Sequence, residues 1–159
     1  KFSFTLTGHF AGKVDEALPS ASYVSTVPPA VIGTSFSVGG FGAVINALSL
    51  DLGNEVTTPP SMTSNDGFGD VIITDRDVSG SFDPEATLVA DNNWVQDWQQ
   101  GNTQAISLAI GSSAGNQFSL SIPTAYYREL SPGDRDGVRT YEIGFGAAGD
   151  DSAVNFIFN

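Results

Sequence analysis

The stretch ISLAIGSSAGNQFSLSI, residues 106–122, decides the fold class. Ile106, Leu108 and Ile110 stand at every second position, the turn-like spacer SSAGN follows, and Phe118, Leu120 and Ile122 resume the alternation. Successive side chains of an extended strand point to opposite faces, so each run puts its apolar residues on one face and its small or polar ones on the other. A helix would scatter the same residues around its circumference. Serine, glycine and asparagine in the spacer suit a tight reversal.

The same arrangement recurs in both directions along the chain. Downstream, Tyr141, Ile143 and Phe145 alternate, then Val154, Phe156 and Phe158, with SPGDRDG and AAGDD as turn sequences. Upstream, Leu48, Leu50 and Leu52 form a strand that ends at Gly53–Asn54, and residues 71–75 and 78–82 read as two more. The clearest alternation of all lies at the start, where Phe2, Phe4, Leu6, Gly8 and Phe10 share one face and Ser3, Thr5 and Thr7 the other. Residues 13–19 read as a turn or short loop, and Pro28–Pro29 breaks the chain before the apolar stretch 30–38. One helix is expected, starting at Pro84 or Asp91, with Trp94 and Trp98 on one face and Gly101 at its C-terminal cap. About nine short strands and one helix predict a mainly β chain, an antiparallel β-sandwich or barrel with a short flanking α-helix. The 159 residues suit a single domain, 1–159, large enough to bury about 70% of its unfolded surface. The chain opens at Lys1 in strand-like sequence without a methionine, which reads as a processed or cut piece of something longer.

Composition narrows the function. Eighteen acids against six bases give a net charge of −12, too few cations to bind nucleic acid by displacing counterions from phosphates. With no cysteine there is no disulfide framework, thiolate nucleophile or cysteine metal site. No apolar run approaches the roughly 18 residues of a membrane helix. His9 is the sole histidine, which rules out a multi-histidine metal site, and its place in the first strand suits a half-buried polar position better than a catalytic base. No serine lies in a G-x-S-x-G elbow. Gly111, Gly115 and Gly146 read as turn residues and build no phosphate loop ahead of a helix. Paired carboxylates drive glycoside hydrolysis at separations of about 5–10 Å, but eighteen acids place some pair at that range by chance. No constellation names an enzyme, and neither cofactor nor metal is expected.

Two charged motifs stand out. ITDRDVSGSFDPEA, residues 73–86, aligns Asp75, Asp77, Ser79 and Gly80 with a calcium loop, but Ala86 occupies the position of the bidentate glutamate and strand-forming residues replace the flanking helices. Asp75 and Asp77 flank Arg76, and Asp134 and Asp136 flank Arg135. An arginine between carboxylates forms charge-assisted pairs, so these six residues are expected at turns or subunit contacts. Between the strands, residues 54–69 form an interruption too long for a hairpin turn, of the kind that in a compact domain is functional or disordered. Trp94 and Trp98, at helical spacing, are expected to cover the sheet rather than stack on a sugar.

LSLDLGNEV (48–56), ITDRDVSGSFDPEA (73–86), GNQFSLSIPTAYY (115–127) and GDRDGVRTYEIGF (133–145), in that order and spacing, resemble the tail tube proteins of long-tailed bacteriophages. The resemblance covers residue 48 to the C-terminus, and the first 40 residues add a compatible strand pattern. It implies a β-sandwich or barrel packed into rings, and rings stacked into a hollow virion tube through which DNA leaves the capsid without specific binding. Some such proteins carry two related domains and form trimeric rings of pseudo-hexagonal symmetry, so this chain is expected to be half of such a protein or one of six copies. The implied partners are further copies and other tail proteins (tape measure, terminator, tip), with assembly in the bacterial cytoplasm and no membrane. On this reading Thr58, Pro59, Pro60, Met62 and Phe68 belong to the loop that docks onto a neighbouring ring. Acidic walls suit sliding DNA, because weak attraction at each phosphate, summed over hundreds, would stall it.

Two other readings remain at this point. One is the tube protein of a contractile tail or type VI secretion system. The other is a β-sandwich that binds carbohydrate or a receptor on a virion or cell surface, with Trp94, Trp98, Tyr126 and Tyr127 as its platforms.

Overall fold

The computed structural model describes residues 2–25, 27–149 and 152–159. They divide into two compact units, one of Lys1–Ser25 with Asn54–Arg76, the other of Thr26–Gly53 with Asp77–Asn159.

The larger unit holds the sheet. Its strands are β1 (Ser35–Val38), β2 (Phe41–Gly42), β3 (Ile45–Asp51), β6 (Ser79–Pro84), β7 (Thr103–Ile110), β8 (Phe118–Arg135), β9 (Val138–Ala147) and β10 (Asn155–Phe158), with helix α1 (Trp94–Gln100) between β6 and β7. All pair antiparallel, in the order β2, β1, β7, β8, β9, β6, β3, with β10 added to β8. The opening stretch becomes the β7–β8 hairpin, with Ile106 opposite Ile122 and Leu108 opposite Leu120. Ile106 and Ile122 are completely buried, as the alternation requires.

The sheet curls over its own apolar face. Phe36 on β1 and Phe82 on β6 have ring centroids 5.6 Å apart. Three strands separate β1 from β6 in the sheet, so a flat sheet at about 4.8 Å per strand would hold them roughly 19 Å apart. Contact therefore requires the two halves of the sheet to face each other, with β8 as the shared long strand. Register shifts at Gln104/Ile106 and Tyr127/Glu129 mark bulges along it, and bulges bend a strand and raise its twist. Phe82 sits at the centre of the core, against Phe36, Trp94, Tyr127 and Phe145. Gly80 allows the sheet to close here: a Cβ on it would lie 2.4 Å from the Ser49 carbonyl oxygen and 2.5 Å from the Phe145 ring.

Helix α1 begins three residues after the expected Asp91. Asn93 caps it, its side chain accepting from Gln96 N at 3.1 Å, and Gly101 ends it in the left-handed conformation. Pro84, the other expected start, belongs to β6. Trp94 is buried against Phe41, Phe82 and Tyr127, whereas Trp98 is 40% exposed, so one of the two tryptophans covers the sheet.

The expected turn SPGDRDG is mostly strand. β8 runs on to Arg135, and the reversal is confined to Asp136 and Gly137, both at positive φ, the backbone of a two-residue hairpin turn whose strand-matching twist favours Asp-Gly. Pro132 is tolerated because this half of β8 pairs with β9 on one side. Gly146, expected in a turn, lies inside β9.

The smaller unit contains a two-stranded antiparallel sheet of β4 (Asn54–Thr57) and β5 (Ile72–Arg76). Residues 54–69, expected as an interruption, thus contribute a strand and the tip of a long hairpin. Residues 2–10, the clearest strand pattern in the sequence, form no strand here. Alternation sets which face a strand would bury, but a strand also needs the backbone hydrogen bonds of a neighbouring strand.

Candidate assembly surfaces

The hairpin tip is tied to itself by backbone and short polar side chains. Pro60 bridges Phe68, Ser61 N donates to Gly67 O at 2.9 Å and Gly69 N to Pro59 O at 2.7 Å. Ser64 Oγ donates to the Phe68 carbonyl, and Asp66 Oδ1 accepts from Phe68 N at 3.2 Å. These bonds hold an apolar surface in the open: Met62 is fully exposed and Phe68 about half exposed, with Pro59 and Pro60 beside them and Thr58 half-buried. His9 Nδ1 lies 2.6 Å from Asp66 Oδ2. The histidine is therefore tethered to the hairpin tip rather than seated in a strand. That contact holds the Asp66 carboxyl below its usual pKa, with the Phe68 amide adding to it.

The two acid–base–acid motifs separate on folding. Asp75 Oδ1 accepts from Arg76 N at 2.8 Å, and Arg76 Nε donates to Asn54 Oδ1 at 2.8 Å across the β4–β5 ladder. Asp77 pairs with Arg128, which donates to both carboxylate oxygens, one at 2.9 Å. In the second motif Asp134 Oδ1 accepts from Gly137 N at 3.2 Å and closes the hairpin turn. Arg135 bonds neither flanking aspartate. It reaches Asp83 at 3.2 Å and Glu85 at 2.7 Å, so GDRDG docks onto FDPEA from the other motif. The aspartates flanking Arg135 were the obvious partners along the chain, but Asp134 precedes it in β8 and so points to the opposite face, and Asp136 lies in the turn.

The face of the sheet away from the core is hydroxylic and acidic. Ser37 bonds Ser107 at 2.7 Å and Ser49 bonds Ser81 at 2.8 Å between neighbouring strands. Next to the second pair a shallow groove is lined by Ser49, Ser81, Asp83, Glu129, Ser131 and Glu142. Glu129 and Glu142 are exposed and, among the described residues, take part in no ion pair. Sequence reading missed this surface because its serines and glutamates lie far apart in the chain and meet through strand order.

The family model of the phage tail tube protein matches residues 1–147. No curated protein matches the chain. Among solved structures, it resembles the sheath/tube terminator of an extracellular contractile injection system, PVC, in the extended state, with a TM-score of 0.62 and 14% identity over 84% of this chain and 99% of the other. The tube-terminating cap of the anti-feeding prophage gives a TM-score of 0.62 and 12% identity over 87% and 97%. The PVC sheath–tube complex in the extended state gives a TM-score of 0.62 and 14% identity over 85% and 95%.

Proposed function

Because the chain belongs to the phage tail tube protein family, we propose that its copies close into rings and that the rings stack into a tube whose acidic lumen passes DNA. Family membership makes the chain a structural component of a phage or phage-like particle. The finer reading treats it as one tail-tube-type β domain of the ring, with the tape measure, terminator and tip proteins as its other partners and assembly in the host cytoplasm.

The observation that carries this reading is the pairing of two surfaces with opposite chemistry. The exposed apolar tip around Met62 and Phe68 suits contact with a neighbouring subunit, since exposed apolar patches mark interaction sites. The open sheet face, lined with serines, Glu129 and Glu142, suits a wall past which a polyanion slides. Of six basic residues, Arg128 and Arg135 are already committed to carboxylates, which leaves little charge to hold phosphate. The likeness to the contractile-injection structures is one of fold, and a sheath gene beside this one would turn the reading toward a contractile machine.

Negative-stain and cryo-electron microscopy of the intact protein at high concentration test the proposal. Rings or tubes with Glu129 and Glu142 on the inner wall are expected. A strictly monomeric protein, or tubes with a basic lumen, would overturn it.

A further inference from the structure

We infer that the apolar hairpin tip around Met62 is seated, in a second copy of this chain, on a charge-free end of the larger unit formed by residues 27–33 and the β7–β8 turn. This rests on the self-assembly reading above and names the surface that receives the tip, which that reading leaves open.

Charge is distributed unevenly along the sequence. No Asp, Glu, Lys, Arg or His occurs in residues 17–50, 98–127 or 152–159. Every charged residue of the larger unit is therefore Asp51 or lies in residues 77–97 or 128–151. Strand pairing then gathers the uncharged runs: β1 pairs with β2 and β7, β7 with β8, and β10 with the start of β8. One part of the sheet, made of β1, β2, β7, β10 and β8 as far as Tyr127, carries no charge, whereas β6, β9 and the rest of β8 carry Asp83, Glu142, Glu129 and Arg135. In a chain of net charge −12, the neutral part is where two copies approach with least repulsion. Like charges set against each other oppose association, and the centres of interfaces are depleted of charged residues.

The neutral part is also apolar where it meets solvent. The β7–β8 turn, residues 111–117, is flanked by residues 27–33: Asn116 Nδ2 donates to the Val27 carbonyl at 3.0 Å, and a Cβ on Gly111 would fall 3.1 Å from Pro29 Cβ. The end of β10 flanks it too, because Gln117 and Asn159 exchange both of their backbone hydrogen bonds, at 2.7 and 3.0 Å. Val27, Val31 and Ile32 are between 67% and 95% exposed, and Phe158 is 70% exposed. A shallow groove beside the turn is lined by Pro29, Ala30, Ile32, Ala109, Gly111 and Asn116, and among the described residues none of its lining is charged.

The hairpin tip has the matching chemistry. Residues 56–65 hold no charged residue either, and they present Pro59, Pro60 and the fully exposed Met62 next to half-exposed Phe68. Exposed apolar patches mark interaction sites, and an unbranched, flexible methionine suits a shallow, irregular seat. Each copy carries one tip and one seat on different parts of its surface, so the contact is heterologous and propagates from copy to copy.

The absence of cysteine makes the test direct. A Met62→Cys chain and an Ile32→Cys chain, one of them tagged so that products separate by size, are mixed under assembling conditions and oxidised, with Thr63→Cys and Val31→Cys to cover neighbouring positions. A mixed disulfide dimer is expected on a non-reducing gel, and none from Met62→Cys with Ser131→Cys in the acidic groove, since a disulfide needs its Cα atoms within about 7 Å. Met62→Lys and Ile32→Asp are each expected to keep the melting temperature of the unsubstituted chain, both side chains being exposed. Each is expected to lose about tenfold or more in sedimentable assembly, and the chain carrying both to recover it, since the two new charges meet. Assembly of the unsubstituted chain should hold or strengthen as salt is raised, because salt screens the repulsion between acids and no ion pair holds the contact. Tubes that form without a disulfide between positions 62 and 32, that link position 131 equally well, that weaken with salt, or in which the two substitutions add rather than offset, overturn the seat and leave the tube reading standing. An unsubstituted chain that never assembles overturns both.

Discussion

Arg128 clamps Asp77 through both of its terminal nitrogens and so fastens the chain two residues before β6 to the bulged middle of β8. The same guanidinium donates to the Tyr126 hydroxyl at 2.8 Å and lies 5.3 Å from that ring's centroid. It spreads over Gly146, where a Cβ would fall 2.4 Å from Arg128 Nε. The fork geometry of arginine serves three neighbours at once, which a lysine could not do.

The clamp predicts how the fold responds to acid. Hydrogen bonds from Arg128, outweighing desolvation, hold the Asp77 carboxyl below its usual pKa. Since the folded value is the lower one, the stabilisation is complete above the unfolded carboxylate value of about 3.9 and is lost as pH falls from there through the folded value. Asp77→Asn is therefore expected to lower the melting temperature modestly at neutral pH and to flatten its decline below about pH 4. Parallel thermal melts of the two chains between neutral and strongly acidic pH measure the difference; curves that stay equally far apart in acid would rule out the Asp77 contribution.

Tyr127 presents the opposite case. Its ring packs against Phe82 and Trp94, but its hydroxyl is buried without a hydrogen-bond partner among the described residues. Burial, with Asp97 nearby, pushes its pKa up. A buried donor without a partner costs about 1–3 kcal/mol, so Tyr127→Phe is expected to leave stability unchanged or to raise it by up to about 1 kcal/mol. Urea denaturation decides it: a loss of stability in the Phe variant would show that the hydroxyl has a partner after all.

The core predicts a contrast between two aromatic residues. Phe82 is 2% exposed and touches four other rings. Phe82→Ala is expected to cost about 3–5 kcal/mol by leaving a cavity that the surrounding strands cannot fill. Trp98→Ala, on the exposed side of α1, is expected to cost under about 1 kcal/mol. Equal losses from the two would contradict the placement of the core.

These contrasts show how much was legible before the fold was known. Ile106, Leu108, Leu120 and Ile122 were readable because a period of two needs only local sequence, and the Gly101 cap was readable because a left-handed residue there favours glycine. The extent of β8 was not, since whether Pro132 interrupts a strand depends on which side of the strand has a neighbour. The hairpin tip carrying Met62 and Phe68 was marked as a functional segment, but its strands β4 and β5 were hidden by proline and glycine between them. Most elusive were the partners of charges. Arg135 sits between two aspartates in sequence and bonds two different acids in space, because pairing follows strand order and face rather than adjacency.

That last pairing gives the most informative substitution. Asp83 accepts from Arg135 through Oδ2, and its other oxygen accepts from the backbone amides of Asn46 and Ala47 at 2.9 and 2.7 Å. Those amides lie in the register shift between Ile45 and Leu48, where the β3–β6 ladder leaves them unpaired. The carboxylate thus replaces a missing strand carbonyl and supports the bulge. Asp83→Ala removes the acceptor of two amides and one of the two acids on a guanidinium that is one quarter exposed. With charged hydrogen bonds worth about 1.5–3 kcal/mol each and solvent compensating in part, a net loss of about 2–4 kcal/mol is expected. Asp83→Asn keeps a carbonyl for the amides and should cost less, and Arg135→Ala leaves the bulge supported while Asp83 and Glu85 lose their shared cation. If Asp83→Ala and Arg135→Ala destabilise by the same amount in chemical denaturation, the ion pair alone holds this corner; a larger loss for Asp83→Ala, with faster exchange of the Asn46 and Ala47 amides, identifies support of the bulge as the greater part.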